Sequence, residues 1–157
     1  MATILDKLSS NLKIDQFVKL KKYCTGNQLS LLLRKGVYPY DYVDCIYKLD
    51  ETSLPPKDAF YSKLTGEGIT TEDYQHAHTV WNQFNVKTMK DYHNLYNLSD
   101  VLLLVDISEN FRNICMNHYR LDPAWYFSTP GLAWDATLKI IKVQLELLSD
   151  PYMLSND

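Results

Sequence analysis

Tyr96 and Asp100 are the two residues of this 157-residue chain whose types and spacing suit chemistry. Four positions apart on a helix, they share a face with one turn between them. A carboxylate placed there can hold a divalent cation, and a phenol one turn away can hydrogen-bond and orient the water that attacks a phosphodiester. Many helices carry Tyr-x-x-x-Asp for packing alone, so the surroundings decide its meaning. His76 and His78 stand two apart, which puts them on different faces of a helix and argues against a metal pair. His93 reads as a packing or solvent-facing residue, and Asp91 and Asp106 read as solvated positions. Trp125, Tyr126, Phe127 and Trp134 suit stacking on unpaired bases, but core packing is the simpler expectation. No nucleophile motif, phosphate-binding glycine loop or dinucleotide fingerprint is present.

The elements that must position these side chains read as helices almost throughout. Phe17, Val18, Leu20 and Tyr23 recur at helical intervals, with Asp15 placed to cap the first turn. A short helix fits 28–35, closed by Gly36 as a left-handed terminal residue and stopped by Pro39. The aromatic stretch 37–50 is either extended or an irregular loop. Pro55 and Pro56 suit the start of a helix reaching about Leu64, broken by Gly66 and Gly68. Thr70 followed by Asp73 resembles a capping box, opening a helix whose stripe is Tyr74, Ala77, Val80, Trp81 and Phe84. The longest pattern runs from Met89 to Tyr119 behind Thr88, with Leu95, Leu102, Leu103, Ile107, Phe111, Ile114 and Cys115 as its main apolar positions. Asn97 to Asp100 is a weak stretch where a kink is expected. A last helix follows Thr129 and Pro130, carries Leu132, Ala133, Trp134 and Leu138, and ends near Ser149.

Composition permits one modest core: 46% of residues are hydrophobic and 22% charged, as in ordinary globular domains. The formal charge of -3 argues against a free-standing nucleic-acid binder, which normally carries a clustered basic excess. Lys13, Lys19, Lys21, Lys22, Arg34 and Lys35 nevertheless gather near the start, as a solvated helix face or a patch for a DNA backbone. Cys24, Cys45 and Cys115 lack zinc-ligand spacing and read as reduced thiols. Neither a leader-like segment nor a membrane-spanning run is visible, so an intracellular, soluble protein without membrane partners is expected.

Several strings taken together carry a resemblance: 31–40 (LLLRKGVYPY), 54–57 (LPPK), 59–64 (AFYSKL), 91–104 (DYHNLYNLSDVLLL) and 129–136 (TPGLAWDA). In order and over nearly the whole chain, they resemble the protein-primed family B DNA polymerases of viruses, linear plasmids and self-synthesising transposons. The likeness implies a stretch from the end of the 3′-to-5′ exonuclease domain. Its fold would be mainly α, the helical C-terminal portion of an RNase H-like domain with an incomplete sheet. It further implies a partial exonuclease domain over 1–120 and a helical connection toward the polymerase domain over 121–157.

By the same resemblance, Tyr96 and Asp100 are the third exonuclease motif, with Asp100 the metal ligand and Tyr96 the residue that orients water. The family's Ser/Thr-Leu-x-x-hydrophobic motif contacts the single-stranded primer end and the priming protein, and its end falls on Leu5 and Leu8. Ile4 occupies the hydroxyl position, leaving the neighbouring Thr3 as the substitute. The family's Asp-x-Glu motif and second Asp-containing motif would lie upstream of these residues, and the polymerase carboxylates downstream. Met1 then reads as an internal methionine of a longer ancestor. The expectation is a fragment of a DNA-directed DNA polymerase serving replication of a virus or mobile element. Mg or Mn would belong to the complete enzyme, with no tight binding to this stretch alone. The rival expectation is a domesticated, non-catalytic helical interaction module.

Overall fold

The computed structural model describes residues 4–24, 26–143 and 145. The fold is mainly α, with six α-helices among the described residues: α1 (Ile4–Ser9), α2 (Val18–Tyr23), α3 (Asn27–Leu32), α4 (Thr71–Gln83), α5 (Met89–Tyr119) and α6 (Thr129–Ile141). Short 3-10 turns at Ile14–Gln16, Ile46–Asp50, Lys57–Phe60 and Pro123–Trp125 punctuate the connections. No strand occurs among the described residues, and a single antiparallel bridge joins Ser62 to Glu67. No described helix is long and apolar enough to cross a membrane.

The chain forms two compact units, Met1–Glu109 and Asn110–Asp157. In the first, α3 packs against α2 and α4. Its core gathers Phe17 and Leu20 from the α2 region, Leu32 from α3, Leu54 and Phe60 from the central loop, Ala77 and Val80 from α4, and Met89, Tyr92, Leu95 and Leu103 from α5. In the second, Cys115, Leu132 and Ala136 are buried, and Arg112 forks onto the Asp122 carboxylate at 2.6–3.1 Å. Tyr126 donates to Asp135 at 2.9 Å in the same unit.

Helix starts follow local chemistry at α4 and α5. Thr70 Oγ accepts from the Asp73 amide at 3.0 Å, which satisfies one of the helix's orphan donors. At α5 the Asp91 amide donates to Thr88 Oγ while the Asp91 carboxylate accepts from the Lys87 and Thr88 amides, a reciprocal box. Asp91 is exposed, but it is engaged at the helix start.

The start of α2 is different. Phe17 is its cap residue and offers no side-chain acceptor, while Asp15 sits one turn earlier, exposed, inside the Ile14–Gln16 turn. The acceptor comes from α5: Asp106 takes the Lys19 amide at 2.8 Å and the Leu20 amide at 3.0 Å. Asp106 is only 2% exposed, which overturns its expected solvated position. Burial of a carboxylate requires such partners, and the α2 start supplies them.

Other expectations are corrected. Gly36 does not adopt the left-handed conformation of a helix-terminating glycine; α3 ends at Leu32, and a Cβ added to Gly36 would lie 3.3 Å from the Tyr96 ring. Its missing side chain serves a close approach. The segment after Pro55 makes only one 3-10 turn, ending in the Ser62–Glu67 bridge with Gly66 at φ 69°. α5 is continuous through Asn97–Asp100, where Ser99 Oγ returns to the Tyr96 carbonyl and leaves the backbone ladder intact. Phe111 and Ile114 are exposed, as are Trp125, Phe127 and Trp134, so core packing is not their role within their unit. α6 ends at Ile141, with Lys142 left-handed; Ser149 lies outside the described residues.

Candidate active site

Tyr96 and Asp100 occupy successive turns of α5, and their environments differ. Tyr96 is 6% exposed while Asp100 is half-buried. The Tyr96 ring is held from three sides by the segment 36–40: Gly36 abuts its edge, Tyr38 stacks at 5.1 Å between centroids, and the Tyr40 hydroxyl meets the Tyr96 hydroxyl at 2.6 Å. Pro39, fully buried between the two tyrosines, fixes the backbone that presents them.

This segment is itself anchored on α5. Tyr92 donates to the Val37 carbonyl at 2.8 Å, and His93 Nδ1 meets the Tyr38 hydroxyl at 2.9 Å. Asn97 closes the chain with its amide nitrogen 2.9 Å from His93 Nε2. His93 is therefore neither simply solvent-facing nor apolar packing but a link holding Tyr38 against Tyr96.

Burial pushes the Tyr96 phenol well above its ordinary pKa, and the hydrogen bond with Tyr40, the Asp100 charge and a hydrogen bond with Asp100 push the same way. Burial does the same for Tyr92, with Tyr38 adding to it. At neutral pH Tyr96 is a neutral phenol beside a carboxylate. It can orient a water or a phosphate oxygen through hydrogen bonds, but it cannot serve as an anionic base or nucleophile.

Among the described residues no three His, Cys, Asp or Glu side chains converge into a metal-binding group. Asp100 supplies one carboxylate, whereas two-metal phosphodiester cleavage draws on several. His76 and His78 diverge: His78 meets the Tyr74 ring edge-on at 4.7 Å, while His76 Nε2 is buried away from it without a hydrogen-bond partner.

Of the other expected contacts, Leu5 packs against the core, Leu8 is exposed, and Thr3 lies outside the described residues. Sequence reading missed the part played by Gly36, Tyr38, Tyr40 and His93 around Tyr96. The available signal was the Tyr-Pro-Tyr string together with the i, i+4 pair Tyr92 and Tyr96, which places two tyrosine rings on one face of the helix. No protein-family model matches this chain, and no curated protein or solved structure matches it either.

Proposed function

We propose that this chain carries the third exonuclease motif of a protein-primed family B DNA polymerase, and that Tyr96 and Asp100 belong to a 3′-to-5′ proofreading site. The observation that carries the reading is the fixed, neutral Tyr96 phenol one helical turn from Asp100, held by Tyr40 at 2.6 Å. Two of the strings behind the resemblance, 31–40 and 91–104, meet at this contact. Independent packing needs would not require a 62%-exposed tyrosine to spend its hydroxyl on a buried one.

In this reading Asp100 would be one of the carboxylates that hold a divalent metal at the scissile end of single-stranded DNA, and Tyr96 holds the attacking water by hydrogen bonding. Mg or Mn would supply Lewis-acid chemistry in the complete enzyme, with further carboxylates from motifs that these residues do not contain. The priming protein and primer end are partners of that enzyme. Sequencing the transcript and its genomic flanks tests the reading. Open frames encoding an upstream Asp-x-Glu motif and downstream polymerase carboxylates are expected, and flanks with neither would overturn it.

A second reading, a helical interaction module without catalysis, draws on the exposed Trp125, Phe127 and Trp134 of the second unit. It predicts a specific macromolecular partner whose binding is lost when these rings are truncated.

A further inference from the structure

On the side of α5 away from Tyr96 and Asp100, the first unit holds an open groove of about 420 Å³. Asp91, Asn94, Leu95 and Leu98 line it at i, i+3, i+4 and i+7, a single stripe of the helix. Tyr96 and Asp100 each follow a member of that stripe by two residues, a rotation of about 200°. Phe84 and Val86 join Leu95 and Leu98 in an apolar floor, and Tyr23 brings an aromatic ring from the end of α2.

The wall between α4 and α5 is fixed by its own backbone. Asn85 closes α4 at φ 50°: its amide donates to the Asn82 carbonyl at 3.2 Å and the Val86 amide to the Trp81 carbonyl at 3.0 Å, the Schellman pattern. The Lys87 and Thr88 amides donate to one oxygen of the Asp91 carboxylate, and the Met89 amide to the Glu51 carbonyl. The backbone donors from 85 to 89 are thus spent within the fold, and the groove meets a ligand through side chains on a preorganised wall. Tyr23, Asn85, Lys87 and Asn94 are exposed, and their side chains make no hydrogen bond among the described residues.

The volume falls within the range of about 300–1,000 Å³ that encloses a small ligand. An apolar floor beside two neutral carboxamides suits a flat ring with apolar faces and a polar edge. Carboxamides pair with the donor and acceptor edge of a nucleobase, and phenol rings stack on its face. One cation, Lys87, stands against one carboxylate, Asp91, so the lining carries no net charge. Lys87 can neutralise a single phosphate, whereas a polyphosphate would meet Asp91 uncompensated.

We propose that this groove binds a nucleobase carrying no more than one phosphate, with its ring against Tyr23 and the apolar floor, its edge on Asn85 and Asn94, and its phosphate on Lys87. The site is separate from the Tyr96–Asp100 locus and does not rest on the exonuclease reading.

The test titrates adenosine, adenosine 5′-monophosphate and a short oligodeoxyadenylate into the 15N-labelled full chain, followed by NMR. Shifts are expected at the Asn85 and Asn94 side-chain amides and the backbone amides of 84–88, with Tyr40 and Tyr96 unmoved. Asn94→Ala should weaken binding about tenfold, the order expected for losing a bidentate amide contact to a base. Lys87→Ala should remove the advantage of the monophosphate over the nucleoside. Tighter binding of the oligonucleotide than of the monophosphate would identify an unpaired strand as the source of the base, and the reverse a free nucleotide. No shift at millimolar ligand, shifts outside the groove, or unchanged affinity in Asn94→Ala would each overturn the proposal. So would benzyl phosphate, which lacks a base edge, binding as tightly as the monophosphate. Because both substituted residues are exposed, the variants should keep the wild-type circular dichroism spectrum. No DNA cleavage is read, so failure of the exonuclease assignment leaves this result intact.

Discussion

Replacing Asp106 by alanine should be among the most damaging single changes in the first unit. The Asp106 carboxylate is 2% exposed and accepts from the Lys19 and Leu20 amides at 2.8 and 3.0 Å. Losing it strands two backbone donors, each costing about 1–3 kcal/mol when buried. The Lys19 amide is only part-buried, so water recovers some of its share, and a net loss of about 2–4 kcal/mol is expected. Against a total of roughly 5–15 kcal/mol for a domain, that removes a large fraction of the stability. At roughly 4–8 °C per kcal/mol for a small domain, the melting temperature falls by about 8–32 °C.

Urea unfolding followed by circular dichroism reads the change as a lower midpoint at unchanged slope. Asp106→Asn, which keeps one acceptor, should fall between alanine and wild type. Asp15→Ala should leave the midpoint where it is, because Asp15 is exposed and makes no cap for α2. An Asp106→Ala midpoint equal to wild type, or an Asp15→Ala loss as large, would refute the assignment of the α2 cap to α5.

Leu103→Ala empties a fully buried site and should cost about 2–5 kcal/mol in the same urea assay. Gly36→Ala places a Cβ 3.3 Å from the Tyr96 ring, and Pro39 limits retreat of the backbone. It should displace the Tyr96 resonance in 13Cζ-tyrosine spectra while far-UV circular dichroism stays unchanged. Burial, with the Arg34 charge adding to it, holds the His76 pKa below its ordinary value, so the unfolded chain binds a proton there before the folded one does. Stability from this residue is therefore present above the ordinary histidine value of about 6.5 and is lost as pH falls from there through the folded pKa. Urea midpoints measured at pH 7.5 and 5.5 should differ more in wild type than in H76Q.

The elements most legible in the sequence were those specified locally. α4 declared itself through Thr70, Asp73 and an apolar stripe, and α5 through Thr88 and its leucines, because a cap and a 3.6-residue period act within one helix. The Tyr96–Asp100 spacing was legible for the same reason. What escaped depends on contacts distant in sequence. Asp106 caps a helix 86 residues away and so looks like an ordinary surface charge in its own helix. Gly36 carries no mark distinguishing a left-handed turn from a close approach to an aromatic ring 60 positions later. Asn97 to Asp100 reads as a weak stretch by propensity, yet Ser99 satisfies its hydroxyl within the helix and the ladder continues. Trp125, Phe127 and Trp134 look like core by composition, but the second unit buries Cys115, Leu132 and Ala136 in their place.

The central claim is that Tyr96 and Asp100 belong to a metal-dependent exonuclease site. It is tested most directly with the protein encoded by the full transcript, incubated with Mg or Mn and an end-labelled single-stranded oligonucleotide. Stepwise 3′-to-5′ shortening is expected, abolished by Asp100→Ala and reduced about 10²-fold by Tyr96→Phe, the order expected for losing one positioned polar group at a reacting centre. Shortening that proceeds at the wild-type rate in both variants, or no shortening by the unsubstituted protein, would contradict the claim.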